Sequence, residues 1–412
     1  MTSAAVPRFD IAIVGGGLVG ASLAVRLADS PLKVVLIEAA APPVSAASWD
    51  ERCIALNDAS QQILGRYGVW EALLPAVAPI LATHIPEKGR FGSTRFTAAE
   101  AGLDALGYNA PLRAIGAVLT AAMAKAANLT LLQPARVAAV EEHADWITLS
   151  VATDAGNSQI DARLVVAADG AQSSVRKLLG LEATTRDYAQ HAIVSAVRLS
   201  RPHQGVAYER FTPEGPMALI PKPDDAASLV WTVPTAEVET MLGWSDDEFR
   251  EAAQATFGGR LGRFTELGAR KSWPLARVMN ETLVGPRTVF IGNAAQSLHP
   301  VAAQGFNLGL RDVANLAERI IAAADPGDAT LLADYAATRR NDRERVSGFT
   351  DLLVRAFSNR TPGLAQARHW GLVAADLLPP VRAALLSQHL GHLGLPAGVG
   401  GGLPAEGRGV PR

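Results

Sequence analysis

A glycine-rich turn between two apolar strands constrains this chain more than any other feature. In "FDIAIVGGGLVGASLAVRLADSPLKVVLIEAA", Ile11 to Val14 form an apolar run short enough for a buried parallel strand. Gly15, Gly17 and Gly20 then satisfy the spacing G-x-G-x-x-G. In that spacing the first glycine permits the tight turn and the second lets backbone approach a pyrophosphate. The third lets the helix pack closely on the strand. A helix predicted from Leu18 to about Asp29 aims its positive N-terminus at the phosphate. "KVVLIE" is the second strand, and Glu38 closes it where a carboxylate can accept ribose hydroxyl hydrogens. Strand, helix, second strand and terminal acid together predict a dinucleotide site; a glycine turn that merely packs leaves Glu38 unexplained.

The remaining totals narrow the class. At 412 residues the chain suits two or three domains, one of them discontinuous. Hydrophobic residues make up 49% and charged residues 19%, with a net charge of -2, which describes a globular protein with substantial cores. Neither sign of charge dominates, so no nucleic-acid partner is expected. The one cysteine, Cys53, excludes an internal disulfide framework and a cysteine-built metal site; no metal is expected, and a cytoplasmic location is. "MTSAAVPRFD" does not read as a secretory leader, and no apolar run reaches the ~20 residues that cross a bilayer.

The unit suits NAD(P) or FAD. FAD is favoured because the unit begins almost at the first residue and no second glycine fingerprint with an acidic partner follows. Arg52, ahead of the apolar run Cys53 to Leu56, is placed to reach a phosphate or the flavin edge, or simply to start a strand at the surface.

Residues 129 to 176 read as a short β-meander with turns near Glu142 to Asp145 and Asp154 to Ser158. It ends on a buried strand, Leu164 to Ala168, which delivers Asp169 and Gly170 to the C-terminal sheet edge where ligands of open α/β sheets bind. Asp169 can hydrogen-bond ribityl or ribose hydroxyls, and Gly170 keeps the backbone close; an Asp-Gly turn with a capping serine is the plain alternative. Arg176 is a candidate for admitting a second, phosphorylated nucleotide. From residue 190 to 235 short β runs separated by Pro, Gly and charged turns predict an antiparallel sheet that roofs the cofactor pocket. Trp231 and Phe211 are candidates for its lining, with a core role the stronger reading for each.

"IGNAAQSLHPVAAQGFNLGLRD" then returns the chain to the nucleotide domain. Thr288 to Ile291 make a buried strand with Gly292 and Asn293 at its end. Phe306, Leu310, Val313, Leu316 and Ile320 recur with helical period, so a helix starts near Gln304 to Asn307 and leaves free N–H groups at Gly305. Such a terminus stabilises negative charge on a reduced flavin by ~0.3–1 kcal/mol, and by up to ~2 when partly buried. Asn293 can bind a ribityl hydroxyl. Pro300 with Ala302 and Ala303 narrows the loop, and His299, held before a proline, is read as structural rather than as a base.

With "GGGLVGASLA", "AADGAQSSVR" and "GNAAQSLHPVAAQGFNLGLRDVANLAE" quoted, the chain resembles the flavoprotein aromatic hydroxylases and, within them, the ubiquinone-biosynthesis hydroxylases, over residues 8 to 395. The resemblance implies an α/β fold: a discontinuous Rossmann-like FAD-binding domain, an antiparallel β-sheet substrate domain and C-terminal helices. The chain is divided into FAD-binding parts at 1–80, 105–185 and 276–345, a substrate-domain insertion at 81–104, the β-sheet domain at 186–275 and a helical region at 346–395, while the Gly/Pro-rich end, 396–412, is expected to be a disordered tail. The resemblance assigns Gly15, Gly17, Gly20 and Glu38 to the ADP fingerprint, Arg52 and Arg113 to the cofactor, Asp169 and Gly170 to the second motif, and Gly292, Asn293, Gly305, Phe306 and Asn307 to the third. Asn293 stands where the wider class has Asp and the ubiquinone branch has Asn. Ala303 stands where that branch has Gly. Pro300, Gln304 and Gly305 are the expected flavin-positioning residues, with no protein nucleophile.

The implied reaction is oxygen transfer from O2, through a flavin C4a-hydroperoxide, to an electron-rich (poly)prenylated phenol, with NADH or NADPH reducing FAD. Candidate partners are a ubiquinone-biosynthesis complex and, through the apolar C-terminal helices broken at Pro379-Pro380, a membrane surface. Two competing readings are a hydroxylase of a soluble aromatic compound and a non-oxygenase flavin subunit of a biosynthetic complex.

Overall fold

The computed structural model describes residues 6–41, 52–86, 93–212, 214–298, 304–357 and 378–393. The fingerprint strand, Arg8–Val14, lies inside an eight-stranded sheet. Val34–Ile37 pairs parallel to it on one side and Gly156–Ala167 on the other; Leu129–Leu132 and Thr288–Phe290 extend the parallel order outward. Burial on both faces explains why these strands read as continuous apolar runs rather than as alternating ones. Ile11, Ile13, Leu36, Leu164 and Val166 face one core, built with the helices Leu18–Leu27 and Gln304–Ala322. Ala12, Val14, Ile37, Val165 and Ala167 face the other, covered by the hairpin Ala135–Glu142 and Ile147–Thr153 through Val137, Ile147 and Leu149. Each such valine, leucine or isoleucine side chain contributes ~1.5–3 kcal/mol by leaving water.

Gly156–Ala167 makes both architectures possible. Its first half pairs antiparallel with Ile147–Thr153, and its second half runs parallel beside Arg8–Val14. The predicted meander is present from Ala135 and ends at the predicted place, but its first run, Leu129–Leu132, pairs in parallel with Val34–Ile37 instead of with the hairpin. The chain fragments 6–41, 52–80, 107–178 and 284–322 all contribute to this half of the molecule, so the Rossmann-like part is discontinuous, as expected.

The second sheet has nine strands. Ala183–Leu199 and Ala226–Pro234 lie at its centre, flanked by Lys271–Asn280 and Gly215–Pro221, then Gln296–Ser297 on one side and Val206–Thr212 on the other. It is antiparallel as predicted, except that Ala82–Pro86 joins Val206–Thr212 in parallel and brings Ser93–Thr97 with it. The segment 81–104 thus adds two strands to this sheet. One face packs on the helices Val238–Gly243 and Asp246–Phe257 around Ile193, Met217, Leu229, Trp231 and Phe249. Ser245 with Glu248 forms a capping box that starts the second of these helices.

A single helix, Ala329–Phe357, runs across position 345 and packs on Gln304–Ala322. The last described helix begins at Pro379 and ends at Gly391, which adopts φ +77. No helix among the described residues is long and apolar enough to cross a membrane.

Candidate active site

The parallel register brings the three motifs to one edge. Val14 pairs with Ala167, which pairs with Phe290, so the glycine turn, the Asp-Gly turn and the Gly292 turn all leave the sheet at adjacent C-terminal ends. Main-chain bonds continue past the strands: Ala168 donates to the Val14 carbonyl at 2.8 Å and Ile291 to the Ala167 carbonyl at 3.0 Å. Gly17, Gly170, Asn293, Gly305, Phe306 and Asn307 consequently line one cavity of about 640 Å³, which also takes Arg52 and the strand Cys53–Asn57.

The fingerprint glycines divide into two kinds. Gly15 has φ +104, and a Cβ there would stand 2.6 Å from the Ala168 carbonyl oxygen; on Gly20 it would stand 1.9 Å from the Gly15 oxygen. Both serve close backbone approach. A Cβ on Gly17, Gly170 or Gly305 would meet no atom of the described residues within 4 Å, although all three line the cavity. Contacts with the described residues do not require glycine at Gly17 or Gly305, which suits close approach of a ligand, whereas Gly170, at φ +84, is required by its own backbone conformation. Gly17 is also the N-cap of Leu18–Leu27, whose first-turn N–H groups have no helical partners. The donor set and the bare cradle fit the diphosphate and tricyclic ring of FAD.

The polar residues are placed as follows. Glu38 accepts from the Gly16 N–H at 2.5 Å through Oε2 and from the Ala40 N–H at 2.6 Å through Oε1. The acid therefore shapes the glycine turn, while each oxygen keeps further acceptor capacity. Asp169 Oδ2 accepts from the Ser174 N–H at 2.6 Å, the Ser174 hydroxyl at 2.8 Å and the Val175 N–H at 3.1 Å, so the capping reading holds for that oxygen. Its Oδ1 is buried without a protein partner, which suits a cofactor hydroxyl. Asn293 is exposed within the cavity. Arg52 lines it too, with its guanidinium 5.1 Å from the centre of the Trp273 ring. Arg113 lies in the first turn of the helix Leu112–Met123, from which Leu112, and not Arg113, lines the cavity. Gln304 is buried at the start of its helix. Pro300, His299, Ala302 and Ala303 lie outside the described residues.

One reading of a single residue needs correction. Arg176 is buried and spends its guanidinium on the Ala294 and Ala171 carbonyls, at 3.3 and 2.8 Å, tying the second motif to the third rather than facing a nucleotide. Trp231 and Phe211 take the core role that is the stronger reading for each, and neither lines the cavity. Strand alternation turns Val230 toward it and sends Trp231 to the opposite core, 5.5 Å from Phe249.

Sequence reasoning missed what holds the third motif in shape. Asp312 Oδ2 accepts from the Gly292 N–H at 2.9 Å and from Gln296 Nε2 at 2.7 Å, while Oδ1 accepts from Arg339 Nε at 2.7 Å. Arg339 also meets Asp342, which meets Arg311 at 3.2 Å, all of them buried. Burial lowers the Arg311 pKa to about 10. Burial also works to lower that of Arg339, but Asp312 and Asp342 outweigh it and the net shift is upward. A signal was present: Asp312 sits four residues from both Leu308 and Leu316, on a face that must be buried. Asn307 was assigned to the cofactor, yet its side chain also clamps the fold. Its Oδ1 accepts from the Asn57 N–H at 3.1 Å and the Ser60 hydroxyl at 2.7 Å, and its Nδ2 donates to the Ala55 carbonyl at 2.9 Å.

Opposite the glycine loops, the second sheet supplies the far wall through Ala192, Val194, Ala207, Ala218, Ile220 and Val230. These alternate along the strands with Ile193, Met217, Leu219, Leu229 and Trp231 on the helix face. With Ser297, Leu275 and Thr83 the wall crosses seven strands, roughly 29 Å at about 4.8 Å per strand. The cavity is thus elongated and mostly apolar on one side and glycine-lined on the other.

Comparison with known proteins agrees with this geometry. An FAD binding domain family matches residues 8–350. The ubiquinone hydroxylase UbiL of Rhodospirillum rubrum is 38% identical over 416 aligned positions, covering 100% of this chain and 95% of that protein. The 3-demethoxyubiquinol 3-hydroxylase of Escherichia coli K12 is 33% identical, over 93% of this chain and 98% of that protein. Among solved structures, p-nitrophenol 4-monooxygenase PnpA from Pseudomonas putida DLL-E4 shares the fold, with a TM-score of 0.77 at 18% identity over 93% of this chain and 99% of that one. By motif, fold and sequence alike, the chain belongs to the FAD-binding family of flavoprotein hydroxylases in which the ubiquinone hydroxylases are found.

Proposed function

We propose that the protein is an FAD-dependent monooxygenase that hydroxylates the ring of a (poly)prenylated phenol in ubiquinone biosynthesis, consuming O2 and NADH or NADPH. The observation that carries this is one cavity with a glycine-built cradle on one side and a long apolar sheet wall on the other. A substrate of the 2-octaprenyl-6-methoxyphenol type has that division of chemistry: an aromatic head to lie against the flavin and a hydrocarbon tail to follow the wall.

Bound FAD supplies the oxygen activation, so no protein nucleophile is required. The protein's residues bind, orient and exclude water. Gly17 and the first turn after it hold the diphosphate, and Asp169 Oδ1 and Asn293 take cofactor hydroxyls. Arg52, stacked on Trp273, offers a cation to the cofactor; enclosure by the cavity walls lowers its pKa without discharging it at neutral pH. Gly305, in the first turn of Gln304–Ala322, would turn backbone N–H groups toward negative charge on a reduced flavin, an effect of ~0.3–1 kcal/mol, rising to ~2 where partly buried. The apolar wall keeps water from the oxygenating centre. Contact with a membrane surface or with a biosynthetic complex would deliver the water-insoluble substrate.

The test is phenol-stimulated oxygen uptake by the purified flavoprotein, with prenylated and unprenylated phenols and with NADH and NADPH as donors. Hydroxylated product from a prenylated phenol is expected. Bound FAD with no phenol-stimulated uptake overturns the proposal in favour of a flavin carrier. Turnover of unprenylated phenols alone overturns the substrate class.

A further inference from the structure

The described C-terminal segment is clamped from two sides. On the side of the inserted strands, Arg382 meets Glu100 at 2.8 Å, and fully buried Leu390 packs with Phe96, Ala98, Ala101 and Leu106. On the nucleotide-binding side, His392 Nε2 lies 2.6 Å from Asp58 Oδ2, and Arg311 donates to the Leu393 carbonyl at 2.8 Å. A Cβ on Gly391 would stand 2.2 Å from Asn57 Nδ2, so the segment lies directly against Asn57. The Asn57 N–H in turn donates to Asn307, in the first turn after the glycine loop. The segment is therefore seated beside the floor of the cavity.

This seating places an imidazole in the cavity wall. His389 lines the cavity and stacks on Phe96, with ring centres 6.4 Å apart and planes 23° apart. Its Nε2 lies 3.3 Å from the hydroxyl of Thr83, another lining residue. Burial lowers its pKa to about 4, so the ring is neutral near pH 7. A neutral imidazole has one donor and one acceptor nitrogen. With Nε2 engaged by Thr83, Nδ1 is the nitrogen left to serve a ligand, in a cavity that Ile80, Leu106 and Ala207 also line. In such surroundings a polar ring edge favours a hydroxyl, because a buried polar atom left unpaired is costly. The hydroxyls are the strongest hydrogen-bonding groups that a prenylated phenol offers.

We propose that His389 hydrogen-bonds a ring hydroxyl of the substrate and so orients the ring, with Thr83 acting as the positioning residue that sets its tautomer. The inference rests on the phenol-hydroxylase reading. The test titrates the FAD-loaded enzyme with a prenylated phenol and with its O-methyl ether, following the flavin absorbance change. Wild type is expected to prefer the phenol by about tenfold, the value of one hydrogen bond to a buried group. His389→Phe keeps FAD and ether affinity but reduces that preference to below about threefold, and it raises KM more than it lowers kcat. Thr83→Val leaves the imidazole in place and cuts the preference by about half or more. A preference unchanged in either variant overturns the proposal. If His389→Phe does not fold, the near-isosteric Thr83→Val decides alone. Wild type binding neither compound refutes the phenol reading itself, which separates the two failures.

Discussion

Two alanines three residues apart in the fingerprint should fail for opposite reasons. At Gly20 an added Cβ falls 1.9 Å from the Gly15 carbonyl oxygen. Reaching even a tight contact of about 3.5 Å needs a shift of roughly 1.6 Å between helix and turn. Overpacking of that kind costs ~1–3 kcal/mol, and backbone against backbone places Gly20→Ala at the upper end, about 3 kcal/mol. At Gly17 the backbone has φ -62 and ψ 177, which alanine adopts without strain, and the added methyl meets no atom of the described residues within 4 Å. Gly17→Ala should leave the flavin-free protein as stable as wild type, or more stable by ~0.4–1 kcal/mol through a less flexible unfolded chain. The same methyl projects where the diphosphate must cross, so FAD affinity should fall at least about tenfold, or about 1.4 kcal/mol. Denaturant unfolding of the flavin-free forms and equilibrium FAD titration separate the effects. Wild-type FAD affinity in Gly17→Ala would refute the cradle assignment. Unchanged stability in Gly20→Ala would refute the packing argument.

Asp312→Ala leaves Arg339 and the Gly292 N–H without their acceptor, and breaking a buried pair from one side costs about 3–5 kcal/mol; denaturant unfolding should show it, with FAD released early. Asn307→Ala removes three hydrogen bonds of ~0.5–1.5 kcal/mol each, so a loss of roughly 2–4 kcal/mol is expected by the same measurement. His84, buried beside Arg260 and Arg95, and His389 both have pKa values lowered to about 4, chiefly by burial. The unfolded chain binds protons near pH 6.5 and the folded one does not until about pH 4. Stability should therefore be full above pH 6.5 and fall between 6.5 and 4, by on the order of 3 kcal/mol for each histidine. Unfolding curves across that window should flatten in His84→Gln; an unchanged slope argues against a buried neutral ring there.

Much of the nucleotide-binding half was legible because its signals are local. Strand length, glycine spacing and the acid at Glu38 all lie within one stretch of chain, and Gly15 and Gly20 serve the close backbone contacts that their places in the spacing require. The helix after Gly305 was legible from its apolar period, and it begins at Gln304. The roles of charged residues were harder to read. Arg176 looked like a nucleotide contact because a surface arginine and a buried one are identical in sequence; only the nearby Ala171 and Ala294 carbonyls distinguish them.

By itself, then, the sequence determined the kind of fold, the glycine-bearing turns and the family, since each depends on residues close together along the chain and on backbone geometry that few side chains permit. Tertiary structure alone decided which side chains share the cavity. Parallel pairing set three distant turns at one edge, and strand alternation chose Val230 over Trp231 for the wall. Long-range packing carried His389 to Thr83 across 306 positions. Such meetings depend on how layers stack and on which polar atoms find partners when water is excluded, and no local pattern in the chain records either.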